Sequence, residues 1–241
     1  MTAAWFDHAL AFALAVLFPI RAGTFGFRRL VLAPPGDVPR VRRALYTQAM
    51  ALQWGLAALT AALWIGQRRP WDALGLLPRA TPLSLGVTLL AVVVAALLML
   101  QARRVSADDH ALAAVLPRLE RIRRMLPHDG GELRRFVALS LTAGVCEEIL
   151  YRGFLMWYLG GWLGPAPSLA LAAVIFGIGH SYQGWRGVLV TGLAGAVFGA
   201  VYLLAGSLLP AIILHAAGDI HSGLIAHAAL RRESAQAGSS A

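Results

Sequence analysis

Long apolar runs, separated by short connections rich in arginine, set the pattern of this chain. They lie at roughly 9–20, 44–66, 82–100, 136–159, 168–180, 188–204 and 208–230. Crossing about 30 Å of hydrocarbon takes roughly 20 mostly apolar residues in a helix, because the bilayer core offers no water to backbone N–H and C=O groups. The pattern therefore predicts an all-α fold, a polytopic transmembrane helical bundle of seven spans, or eight if 154–163 folds back as a hairpin. Trp, Tyr and Pro cluster near several expected ends, as interfacial belts and helix stops require.

Between 106 and 131 the pattern changes. Leu112, Val115, Leu116, Leu119, Ile122 and Leu126 recur at helical spacing among arginines. That spacing predicts one amphipathic interfacial helix resting on anionic membrane lipid, or else a solvated connector. Asp108 and Asp109 suit its start, where the helix dipole favours negative charge. The chain thus divides into N-terminal transmembrane helices (1–105), this cytoplasmic-side connector (106–131), a C-terminal helical core (132–230) and a disordered polar tail (231–241).

Composition sharpens the picture. With 58% hydrophobic and 14% charged residues, the chain lies outside the range of soluble globular domains. A formal charge of +9 could point to nucleic acid, but the basic residues occupy connections between apolar runs, so no nucleic-acid partner is expected. With seven spans, the arginines from Arg21 to Arg43, from Arg103 to Arg135, Arg186, and the pair Arg231 and Arg232 all fall on one side. The positive-inside rule makes that side cytoplasmic, here that of a bacterial inner membrane, with the N-terminus outside. Arg68, Arg69 and Arg79 then lie outside, in an interfacial loop beside Pro70, Trp71 and Asp72. The first run follows Asp7 and His8 rather than a basic region and reads as a retained span. Cys146 is the single cysteine, so no intrachain disulfide can form, and in an apolar helix its thiol is expected to be inert.

Ionisable groups inside hydrocarbon are costly, so each is a functional candidate. They concentrate in three places: Cys146-Glu147-Glu148-Ile149-Leu150-Tyr151-Arg152 on the fourth run, Phe176 to His180 on the fifth, and His215 to Asp219 on the last. Glu148 and Arg152, four apart, share a helical face, whereas Glu147 is turned about 100° away and is left to point into a cavity. Counting from Arg135, Glu147 lies roughly 18 Å deep at 1.5 Å per residue, which demands a hydrated chamber. Glu147, His180 and His215 can meet there, open to the cytoplasm. Asp219, one turn from His215, can orient its imidazole or join the site itself. Glycines 177, 179, 192, 195, 199 and 218 would let helices approach closely around it. His221 and His227 are secondary, and His8, His110 and His128 are expected to be solvated.

Glu147-Glu148-x-x-x-Arg152, Phe176-x-x-x-His180 and His215-x-x-x-Asp219, in that order on successive apolar helices, resemble the three motifs of the CPBP family. That family comprises the type II CAAX prenyl endopeptidases and bacterial relatives linked to bacteriocin processing and self-immunity. The resemblance covers roughly 135–230 and leaves the first three spans unmatched. It implies an intramembrane endopeptidase in which Glu147 activates water beside His180, while His215 and the residue four later hold the polarised carbonyl. Many relatives carry Asn where this chain has Asp219; an aspartate donates no hydrogen bond unless protonated, which turns that position towards orientation or metal binding. The family's grouping with metalloproteases implies a Zn²⁺ held by Glu148, His180 and His215 with the remaining glutamate as base; a metal-free Glu147 and His180 mechanism uses the same residues.

The expected function is therefore hydrolysis of peptide bonds in a membrane-associated peptide or protein substrate. A non-catalytic immunity or scaffold factor binding a partner through the same cavity is a second reading, and a proton-coupled transporter a third. Paired halves and broken helices, the usual marks of transporters, are not evident in the sequence.

Overall fold

A computed structural model describes residues 3–21, 26–77 and 79–239. Among them there are helices and connections but no strand. Helix α1 covers Trp5–Ile20, α2 Val38–Gly66, α3 Pro82–Ser106 and α4 Asp109–Leu119. A long helical path follows: α5 (Gly130–Glu147) passes into a π-helical segment, Glu148–Leu155, and leaves it as α6 (Met156–Leu163). The last three are α7 (Pro165–Gly179), α8 (Trp185–Ala205) and α9 (Leu209–Ser239).

Local chemistry explains several boundaries. Thr81 caps α3 by accepting a hydrogen bond from the Ser84 N–H, with Pro82 at the first helical position, where its missing N–H costs nothing. Asp108 caps α4 through the N–H groups of His110 and Ala111. Asp129 caps α5 through the Glu132 N–H at 2.8 Å, a bond that holds the Asp129 carboxyl below its ordinary range.

Among the described residues, four helices are long and apolar enough to cross a membrane: α3, α8, and those at 35–66 and 209–237; Trp5–Ile20 and α7 are shorter apolar helices. Together with the path 130–163, they occupy the seven apolar runs of the sequence. Segment 154–163 prolongs the fourth helix instead of folding back, because Leu155 and Met156 both keep right-handed helical backbone angles. α3 keeps Leu85 and Leu89 61% and 66% exposed, which a water-soluble helix would bury and a lipid-facing helix does not. The chain is an integral membrane protein.

Two ends of the bundle can be distinguished by contacts between distant segments. At one, Arg42 pairs with Glu132 at 3.2 Å, Arg124 donates to the carbonyl of Val31 at 2.7 Å, Arg121 donates to that of Tyr182 at 3.0 Å, and Arg123 pairs with Glu233. The arginine-rich connections thus meet at one end. At the other, Asp7 and Arg69 form a buried two-pronged ion pair, and the Leu208 N–H donates to the Gly75 carbonyl at 2.8 Å. Arg69, expected in an interfacial loop, is buried there with its guanidinium over the rings of Trp64 and Trp157.

Three expectations are corrected. The amphipathic segment does not turn its apolar face to lipid: Leu112, Val115, Leu116 and Leu119 pack on Leu224, Ile225, Ala228 and Ala229 of α9. The segment read as a disordered tail is helical to Ser239, with residues 240 and 241 outside the described residues. His128 is half-buried, its Nε2 3.1 Å from the Arg123 carbonyl, whereas His8 and His110 are exposed as expected.

Candidate functional site

Close helix packing builds the site. A Cβ on Gly144 would stand 2.9 Å from Ala216 Cβ and 3.1 Å from Ala216 N, so a bare glycine is what lets α5 approach α9. Three and four residues later, Glu147 and Glu148 meet His215, the neighbour of Ala216. Both glutamates are buried. The change from α to π geometry begins at Glu148, and wide turns of this kind recur at functional sites because they alter the direction in which side chains project.

The two carboxylates address opposite nitrogens of one imidazole. His215 Nδ1 lies 2.8 Å from Glu148 Oε1, and its Nε2 lies 3.9 Å from Glu147 Oε2 and 3.8 Å from Asp219 Oδ2. A carboxylate accepts, so Nδ1 carries the proton and Nε2 is turned towards Glu147 and Asp219. Arg152 Nη1 also donates to Glu148 Oε1, at 2.8 Å. Glu148 is thereby fixed from two sides, as the four-residue spacing predicts for Arg152. Phe198 stacks on the His215 ring at 5.2 Å, and Phe176 meets it edge-on at 5.9 Å. The Arg152 guanidinium lies over the same two rings, at 4.3 Å from Phe176 and 5.4 Å from Phe198.

His180 joins through Phe176. Its ring centroid lies 4.8 Å from that of Phe176, and its Nδ1 lies 2.9 Å from the Phe176 carbonyl. Since a carbonyl only accepts, Nδ1 is the donor, and among the described residues Nε2 has no hydrogen-bond partner. Glu147, Glu148 and Asp219 therefore surround the His215 imidazole, with Arg152 bonded to Glu148 and His180 one aromatic ring away. His221 and His227 lie elsewhere, near Gln101 and the Pro127 carbonyl.

Glu147 is not free, as its position one residue from Glu148 suggests. The amide of Gln53 on α2 donates to Glu147 Oε1 at 2.7 Å, and Gln53 is itself buried. Sequence reasoning passed over this residue, although an amide flanked by Leu52 and Trp54 inside an apolar run is itself a signal.

The zinc set implied by the resemblance does not fit this arrangement. Glu148 Oε1, the carboxylate of that set, is taken by Arg152 and by His215 Nδ1, while the Nδ1 bonds of His180 and His215 leave only Nε2 of each ring. Among the described residues, no group of three or more His, Cys, Asp or Glu side chains is disposed to hold a metal ion. The chemistry the site offers is that of a held carboxylate, two oriented imidazoles and a supporting ion pair.

Searches among curated proteins and among solved structures gave no match. Residues 130–221, the stretch from the start of α5 to just beyond Asp219, match the model of the family described as type II CAAX prenyl endopeptidase Rce1-like, in agreement with the resemblance to the CPBP family.

Proposed function

We propose that this protein is an intramembrane endopeptidase that hydrolyses a peptide bond of a membrane-associated substrate with a water molecule activated by Glu147. The family match implies a protease. The observation that carries the reading further is the gap between Glu147 Oε2 and His215 Nε2: 3.9 Å is too long for a hydrogen bond and suits one water touching both. Glu147 takes a proton from that water as its oxygen adds to the substrate carbonyl carbon. When the C–N bond breaks, the same proton passes to the leaving amine.

The other residues orient and stabilise. Glu148, with one oxygen between Arg152 and His215, fixes the plane and tautomer of the His215 ring. His215, when it carries a second proton at Nε2, donates to the carbonyl oxygen as negative charge develops there. Asp219, 3.8 Å from Nε2, keeps that face of the ring polar, and His180 offers its free Nε2 from beyond Phe176. No step runs through a metal.

The meeting of the arginine-rich connections at one end supports a cytoplasmic assignment for that end, in a bacterial inner membrane. His180 follows α7 at its junction with the turn that Arg121 contacts, which supports a site opening towards the same side. Purified protein in proteoliposomes tests the reading: it is expected to cleave a prenylated CAAX peptide, with products identified by mass spectrometry. Cleavage of an unmodified membrane-associated peptide alone would broaden the substrate class. Cleavage of neither, by protein shown to be folded, leaves a non-catalytic partner-binding role.

A further inference from the structure

Gln53 sits near the middle of α2, in a helix that lies outside the residues matching the family model. It is 5% exposed, and a buried amide in an apolar helix is costly unless both its donor and its acceptor find partners. Its donor has one: the side-chain N–H points at Glu147 Oε1 at 2.7 Å. Its carbonyl oxygen, also buried, has no hydrogen-bond partner among the described residues. The amide therefore touches the protein through one bond, and that bond goes to the proposed base.

We propose that Gln53 is a positioning residue: it pins one oxygen of Glu147 so that the other faces His215, and it makes α2 a working part of the site. The inference rests on the hydrolase reading. Without the amide, Glu147 can rotate about its side-chain torsions, and the 3.9 Å separation of Oε2 from His215 Nε2 is no longer fixed. A glutamine does this without adding charge to a site that already sets Glu147, Glu148 and Asp219 against Arg152 and His215. Thr60, two turns further along the buried side of α2, bonds only to the Leu56 carbonyl of its own helix among the described contacts, and it serves as a control.

The test compares Gln53→Leu with Thr60→Val in wild-type background, using cleavage of a prenylated CAAX peptide in proteoliposomes. Gln53→Leu is expected to lower kcat about 10- to 100-fold while KM stays within about threefold, the range for losing one hydrogen bond to a charged group. Thr60→Val is expected to match wild type. An unchanged kcat in folded Gln53→Leu overturns the proposal and leaves the hydrolase reading standing. A wild type that cleaves nothing overturns the hydrolase reading and this inference with it. Should Gln53→Leu fail to fold, Gln53→Glu and the exchanged pair Gln53→Glu with Glu147→Gln read the contact directly. The single change sets two carboxylates together and is expected to lower the melting temperature, and the exchange is expected to restore it. Failure of the exchange to restore it overturns the proposal.

Discussion

His215 Nδ1 and Glu148 Oε1 lie 2.8 Å apart, and the same carboxylate oxygen accepts a hydrogen bond from Arg152. One buried oxygen thus ties the last helix to the π-helical segment, with a guanidinium offsetting its charge. Removing one partner of such a pair leaves an uncompensated charge, which costs about 3–5 kcal/mol. Glu148→Ala and Arg152→Met are each expected to lower stability by that amount in thermal or denaturant unfolding in detergent. The double variant is expected to lose clearly less than both losses together. Independent, additive losses would show that the two side chains do not share the oxygen.

Gly144 controls the approach of α5 to α9. Gly144→Val puts its branched side chain where Ala216 already stands, and the helices must part by about an ångström, which costs on the order of 100-fold in rate. Gly144→Ala, with a single methyl at the same 2.9 Å contact, is expected to lose less. Peptide cleavage by the two folded variants checks the order; equal activity in both would mean that this contact does not set the site.

Asp219 stands 3.8 Å from His215 Nε2 with its side chain 46% exposed, so it makes no direct hydrogen bond there. Asp219→Asn is expected to keep activity within about tenfold of wild type, and His215→Ala to lose at least 100-fold. Comparable losses in both would give Asp219 a direct part in the reaction.

The pairing of Glu148 with Arg152 and His215, together with the lack among the described residues of three or more side chains disposed to hold a metal ion, predicts insensitivity to chelation. Protein dialysed against a strong zinc chelator is expected to keep its cleavage rate within a factor of about two. Loss of activity, with recovery on adding Zn²⁺ alone, would assign the chemistry to a bound metal.

Much of this was legible because the bilayer forces it. Apolar runs become helices there, so the seven runs occupy helical segments, and Glu148 and Arg152, four residues apart, share a helical face and pair. A shared chamber for Glu147, His180 and His215 was expected from the cost of polar groups in hydrocarbon; Glu147 and His215 meet, and His180 stands beyond the Phe176 ring. Contacts between remote helices were not legible. Gln53 meets Glu147 across 94 residues, Arg69 meets Asp7 across 62, and Gly144 meets Ala216 from another helix, and no local period encodes such pairings. The amphipathic face of α4 was expected to rest on lipid or to belong to a solvated connector; α9 takes it instead, since lipid and a neighbouring helix offer the same apolar surface. The π-helical turn at Glu148 leaves no mark in spacing, since Glu148 and Arg152 still touch across it.

The measurement closest to the central claim is cleavage by Glu147→Gln, an isosteric change that removes the base and leaves an amide able to bond with Gln53. Its melting temperature is expected to stay near that of wild type while cleavage of a prenylated CAAX peptide falls by at least 1,000-fold, about 4 kcal/mol of transition-state stabilisation. Full activity in that folded variant would contradict the assignment of Glu147 as the group that activates water.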